Sequence, residues 1–199
     1  MSISLKANSD GSSEILNGVA TAIKINADNS LENPTIDGKL DKSENIVLGA
    51  SVIASGVAVD FTGIPAGVKR ITVMFDGVST SGTSDMILRI GSGSIEKTGY
   101  AGYVARIGGT NAFQIMTTGF DLQESCAATY LHEGKSVLER LTTLDWSCVN
   151  FMTANNQNAT VNLGVGSKTL TGTLDRIRIT TVNGTDTFDA GTINISWEF

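Results

Sequence analysis

Apolar and polar residues alternate along the chain in several short runs. The clearest runs are 70–75, 160–165 and 193–199, in which apolar residues take about every second position. Because successive side chains of a β-strand point to opposite faces of the sheet, this period is typical of strands with one buried face. The three runs therefore predict three strands, the last of them at the end of the sequence.

Turn signals separate these runs. Asn17-Gly18 and Asn183-Gly184 are dipeptides that favour tight hairpin turns. No stretch shows a sustained helical period with caps. About eight to ten short strands at this spacing predict an all-β protein, with a β-sandwich or jelly-roll-like domain over residues 51–199.

Residues 1–50 form a different segment, in which we predict two short strands near 14–16 and 21–26. An isolated hairpin is marginal in water, and the segment has too few apolar residues for a core of its own. It must therefore pack on the main domain, on symmetry mates or on another protein, and we favour the last two. Its candidate attachment and oligomerisation residues are apolar: Ile15, Leu16, Val19, Ile23, Ile25 and Leu31.

Composition narrows the function classes. Only 17% of the residues are charged, the net charge is -6, and no basic stripe of a nucleic-acid-binding protein is visible. No apolar run reaches the length of a signal peptide or of a membrane helix. We therefore expect a protein made in a cytoplasm that neither binds nucleic acid nor inserts into a membrane.

Reactive residues do not form a recognisable pattern. His132 is the only histidine, and we interpret it as an exposed residue beside a turn, since no nucleophile motif accompanies it. Cys126 and Cys148 match no metal motif and are expected to be free, buried thiols, with a disulfide between them as the alternative. The sequence predicts no catalytic residue, no metal site and no cofactor.

A glycine-rich stretch, 91–109, is predicted to be a long surface loop. It contains Tyr100, Tyr103 and Arg106, residue types that supply contact energy at interfaces. They form our candidate surface-binding loop, with host-surface glycan as the candidate ligand. The alternative is that these rings only hold the loop against the sandwich.

Three segments carry a resemblance to a known family: 60–80, 94–103 and, most clearly, 172–195. They are similar to segments of bacteriophage tail-fibre and head-fibre-like virion proteins, and the similarity covers about residues 57–199. The resemblance implies a non-enzymatic particle component, a homotrimer whose partners are other virion proteins of the tail or capsid. Its expected location is the virion, after synthesis in the host cytoplasm.

Within this resemblance the first hypothesis is a fibre protein. Residues 1–50 would attach it to the particle, and the sandwich would face the host. The chain lacks the long shaft repeat of a full fibre, which favours the alternative of a capsid decoration or head-fibre protein. A small glycan depolymerase is a remote third hypothesis.

Overall fold

The structure is a computed structural model that describes residues 46–155 and 160–199 and, before them, the backbone of four short strands. The chain divides into two compact units, Met1–Asn45 and Ile46–Phe199. Every regular element in the described parts of the chain is a β-strand. The predicted all-β class is therefore confirmed.

The first unit contains a four-stranded antiparallel meander in the order β1-β2-β3-β4. Its strands are β1 (Ser4–Ala7), β2 (Ser13–Leu16), β3 (Ala22–Ile25) and β4 (Leu31–Glu32). The sequence predicts only the two central strands. β4 has two residues, too few for a pattern of alternation to be visible, whereas β1 has four, as many as β2 and β3, and is not predicted.

The second unit has fourteen strands in its described residues. They are β5 (Ile46–Leu48), β6 (Val52–Ile53), β7 (Ala58–Thr62), β8 (Arg70–Thr80), β9 (Met86–Ser92), β10 (Ser94–Ile95), β11 (Tyr100–Ile107), β12 (Ala112–Met116), β13 (Phe120–Asp121), β14 (His132–Arg140), β15 (Asp145–Ala154), β16 (Val161–Thr169), β17 (Arg176–Thr181) and β18 (Phe188–Glu198). The runs used for prediction, 70–75, 160–165 and 193–199, correspond to β8, β16 and β18.

These strands form two antiparallel sheets that pack as a β-sandwich. The large sheet has nine strands in the order β12-β11-β16-β15-β14-β8-β18-β5, with β6 also paired to β18. The small sheet has five, in the order β10-β9-β17-β7, with β13 paired to β9. One apolar core takes Ile71 and Leu138 from the large sheet and Leu88 and Ile177 from the small one. Each of these four side chains is fully buried, so the predicted sandwich is confirmed.

The predicted loop at 91–109 is wrong, because most of this stretch is strand. β9 and β10 form a tight hairpin around Gly93 (φ 67°), and β11 then runs from Tyr100 to Ile107 between β12 and β16. The glycines of this stretch interrupt the alternation of apolar and polar residues, so the sequence does not show the strands. A Cβ at Gly102 would lie 2.3 Å from the carbonyl oxygen of Val165, so glycine here reflects a close approach of neighbouring strands.

Candidate functional site

The outer face of the large sheet carries a broad apolar surface, which we call the outer patch. It spans the four neighbouring strands β12, β11, β16 and β15. Its side chains are between 37% and 75% exposed: Tyr103, Ile107, Phe113, Ile115, Val149, Phe151, Leu163 and Val165.

Strand register makes the outer patch continuous. Ile115, Tyr103, Val165 and Val149 occupy paired positions on four successive strands, and so form one row across the sheet. Residues directly opposite on antiparallel strands have Cβ atoms about 5 Å apart, which is contact distance for large apolar side chains. A second row places Phe113, Leu163 and Phe151 around Ala105 in the same way.

β16 contributes to this surface because its faces are the reverse of the usual arrangement, with apolar side chains outside and polar or small residues inside. Leu163 and Val165 face outwards, while the buried positions between and beside them are Asn162, Gly164 and Gly166. A sheet with one solvated face normally buries the apolar residues and exposes the polar ones. In β16 the more apolar side faces away from the protein's own core.

Neighbouring residues limit the size and polarity of the side chains that fit at the inner positions of β16. Asn162 accepts a hydrogen bond from the backbone N–H of Glu124 at 3.0 Å. A Cβ at Gly164 would collide with Asn150, and one at Gly166 would lie 3.1 Å from both Met116 Sδ and Phe120. The inner side therefore has room only for glycine or for hydrogen-bonded polar groups.

The three residues of the predicted binding loop occupy different environments. Tyr100 is not at the surface: only 5% of it is exposed, its hydroxyl bonds backbone groups of Ile90 and Glu96, and its ring meets Phe120 edge-on. Tyr103 is exposed in the outer patch. Arg106 faces the other side of β11, where Nε lies 3.2 Å from Glu124 Oε2. The structure therefore does not bring the three together.

Five of the six candidate attachment residues belong to the four-stranded sheet of the first unit. In its register Ile15 pairs with Leu5 and Ile23, and Ile25 pairs with Leu31. These positions share one face of the sheet, and the position of Leu16 is on the other. Val19 lies outside the described residues.

The opposite face of that sheet holds a row of charged positions. Lys6, Glu14, Lys24 and Glu32 are successive register partners on the four strands. Opposite charges at paired positions stabilise antiparallel strands. The alternation in charge along these register positions thus supports this register.

His132 is not the exposed turn residue that the sequence suggested. It opens β14, is 1% exposed, and its Nε2 atom lies 3.6 Å from the buried Sγ of Cys126. Burial lowers the pKa of His132 to about 4 and raises the pKa of the Cys126 thiol. Both groups are neutral at pH 7, which is the reverse of the thiolate and imidazolium of a reactive pair. Cys126 and Cys148 are both free and buried, as predicted.

The buried imidazole predicts a pH dependence. An unfolded histidine takes up a proton below about pH 6.5, whereas folded His132 does so only near pH 4. Protonation therefore favours the unfolded chain, and stability from this group falls as pH drops from 6.5 towards 4. We expect replacing His132 with glutamine to destabilise less at pH 4.5 than at pH 7.5, by about 2 kcal/mol in urea unfolding. An equal loss at both pH values would contradict this.

Two buried carboxyl groups should give a pH dependence of stability opposite to that of His132. Burial raises the pKa of Asp85 and of Asp121 to about 6, with mutual repulsion adding to the effect at Asp121. Their contribution is fully present below the unfolded pKa of about 4 and is lost as pH rises through 6. The variant Asp121→Asn is the matched control, because its effect must show the opposite pH trend to that of the histidine variant.

Other features of the described residues offer no stronger site. A surface depression of about 310 Å³ lies between β7 and β18, lined in part by Phe61, Ile195 and Trp197. Its one carboxylate, Asp60, accepts hydrogen bonds from Nε and Nη2 of Arg178, each at 2.6 Å. No cluster of three metal-ligating side chains, and no helix able to span a membrane, is found among the residues that the structure describes.

Comparison with known proteins leaves the family open. No protein-family model matches the chain, and no curated protein is similar to it. One solved structure, the crystal structure of infectious bursal disease virus VP2 subviral particle, aligns with a TM-score of 0.17 and 10% sequence identity. The alignment covers 98% of this chain and 55% of the other, so the chain spans about half the length of that protein. A likeness at this level carries no argument about fold or function.

Proposed function

We propose that this protein is a non-enzymatic structural component of a bacteriophage particle, of the fibre type. Its N-terminal unit attaches it to the virion, and its sandwich is displayed as a binding domain. The observation that carries the binding role is the outer patch, a continuous apolar face formed by eight exposed side chains on four strands, and the assignment to a fibre rests on the resemblance of residues 57–199. Exposed apolar areas of this kind mark surfaces that bind other molecules.

Binding rather than catalysis is supported by the state of the reactive groups. A general base must reach its substrate, and the protein's one histidine is 1% exposed. The two thiols are buried, and burial raises the pKa of each. The outer patch, by contrast, is accessible and contains no ionisable group apart from the phenol of Tyr103.

Attachment through the N-terminal unit is supported by its separate, compact sheet. β5, which begins at Ile46, already pairs with β18 and belongs to the sandwich. The first compact unit ends at Asn45, five residues before the limit drawn from the sequence, and we take this unit as the proposed attachment segment. The family resemblance adds the expectation of a homotrimer and of tail or capsid partners.

Removing residues 1–45 is expected to abolish incorporation into particles while leaving the sandwich folded. The deletion stops before β5, so the pairing of Ser196 with Leu48 is preserved. Incorporation is measured by immunoblot of purified particles from a phage that carries the deletion, with a full-length, epitope-tagged chain as control. Incorporation of the truncated chain at the full-length level would refute attachment through this unit.

Antibody labelling of intact particles tests the location. Label on the tail or its fibres supports the fibre assignment. Label spread over the head would replace it with a capsid decoration or head-fibre protein. Absence of the chain from purified particles would refute a virion role.

A further inference from the structure

We propose that the outer patch binds a second copy of this chain, so that the large sheets of neighbouring protomers pack against each other. The inference rests on the proposed function in one respect, that this face is a binding surface. It goes further by naming the occupant. Three observations carry it: the area of the patch, its lack of charge, and the inverted polarity of β16.

The area is appropriate for a stable protein interface. With about 200 Å² for an aromatic and about 100 Å² for an aliphatic side chain, the exposed fractions of the eight residues amount to about 600 Å² of apolar surface. A standard interface buries about 800 Å² on each partner, including its polar rim. The outer patch therefore supplies most of the area that one partner of a stable complex needs.

The chemistry of the patch favours an apolar protein surface as partner. Apart from Asp145 at one end of β15, the outward positions of β11, β12, β15 and β16 carry no charge. A phosphate backbone needs basic groups, and these outward positions carry none. Interfaces between identical subunits are more apolar than those of transient complexes.

A charged rim borders the patch on β14. Lys135 is paired in register with Phe151, and Glu133 and Glu139 take the outermost outward positions of the strand, with Val137 between Lys135 and Glu139. Charges of both signs at one edge can pair between two copies, whereas a rim of one sign would repel an identical surface. The rim is thus compatible with self-association.

The inverted polarity of β16 gives the most direct argument for a permanent partner. Leu163 and Val165 alternate with buried Gly164 and Gly166, so the strand's larger apolar side chains contribute nothing to the protomer's own core. A second sheet packed at about 10 Å would bury them as the inner face of a sandwich. Two identical faces supply such a sheet without any further protein.

The test is the mass of the purified full-length chain, measured by sedimentation velocity between about 1 and 100 µM, a range that brackets micromolar affinity. We expect a species of two or three protomers for the wild type. The double variant Phe113→Lys/Val165→Lys should weaken association at least about 100-fold, because two apolar contacts become buried charges. The control Leu141→Lys replaces an exposed leucine outside the patch and should leave the mass unchanged.

A second readout reports burial of the face itself, whatever the N-terminal unit contributes to assembly. Cys126 and Cys148 are buried, so a single cysteine introduced by Val165→Cys can be labelled selectively with a maleimide. We expect labelling at least about tenfold slower than for Leu141→Cys at 100 µM, with the difference lost on dilution or in the Phe113→Lys background. Equal labelling rates at both positions, or a monomeric wild type over the whole range, would overturn the proposal. Because neither measurement uses particles, its failure is distinguishable from failure of the virion assignment.

Discussion

Replacement of Lys168 by methionine is expected to lower the free energy of unfolding by about 3 kcal/mol. Lys168 points inwards from β16 and is 6% exposed, with Nζ 2.5 Å from Glu96 Oε2 and 5.7 Å from the centre of the Tyr100 ring. Removing the ammonium group leaves the Glu96 carboxylate, whose side chain is 14% exposed, with the hydrogen bonds from Thr171 but no cation. A substantial loss follows because breaking a buried pair from one side leaves an uncompensated charge.

Two opposing effects act on the pKa of Glu96. Burial acts to raise that pKa, but hydrogen bonds from Lys168 and Thr171 outweigh burial and hold it below its ordinary value. In the methionine variant the pKa should rise, so part of the lost stability should return as pH falls towards 5. Urea unfolding of the two proteins at pH 5 and pH 7.5 measures this.

The double variant Glu96→Gln/Lys168→Met is the matched control. It removes both charges, so its loss at pH 7.5 should be smaller than that of the single methionine variant, because no buried charge is left unpaired. A single-variant loss below about 1 kcal/mol, the range of exposed pairs, would show that the pair is in effect solvated.

Gly134→Ala is the second substitution for which we expect a large effect, about 4 kcal/mol. Gly134 has φ 140°, and a Cβ there would lie 2.1 Å from the carbonyl oxygen of Phe151 and 2.9 Å from Met152 Cα. Both obstacles are backbone atoms of the paired strand β15, so they cannot move without opening the sheet. The register between β14 and β8 also shifts next to this residue, between His132 and Gly134.

Gly109→Ala separates the two causes of that loss. Gly109 also has a positive φ, 59°, but a Cβ there would have nothing within 4 Å. We expect a loss of about 1 kcal/mol for this variant, from backbone strain alone. Thermal or urea unfolding of both proteins measures the difference, and similar losses would show that close strand packing at Gly134 is not the cause.

The alternation of residue types was sufficient to predict the class of the fold and several strands. Runs 70–75, 160–165 and 193–199 overlap β8, β16 and β18, since a period of two suits only an extended chain with two distinct faces. Burial of both cysteines also followed from residue type. These properties depend mainly on residue type and on nearby sequence, and not on contacts with distant parts of the chain.

The functional side chains were harder to predict because neighbours distant in sequence determine their exposure. Tyr100 and Tyr103 look alike in the sequence, but the first is buried against Phe120 and the second is exposed in the outer patch. His132 looks like a turn residue and is enclosed beside Cys126. The residues next to Tyr100, Tyr103 and His132 in the sequence do not indicate which of these side chains is buried.

The sequence by itself determined that residues 160–165 form a strand with one apolar side, but only the tertiary structure decided which way that side faces. In β16 the inner positions meet Asn150, Met116 and Phe120, which leave no space for large side chains. Leu163 and Val165 therefore point outwards, although their pattern resembles that of a strand buried in its own core. The physical reason is that alternation specifies two faces, whereas the volume and hydrogen bonds offered by the rest of the protein select the inner one.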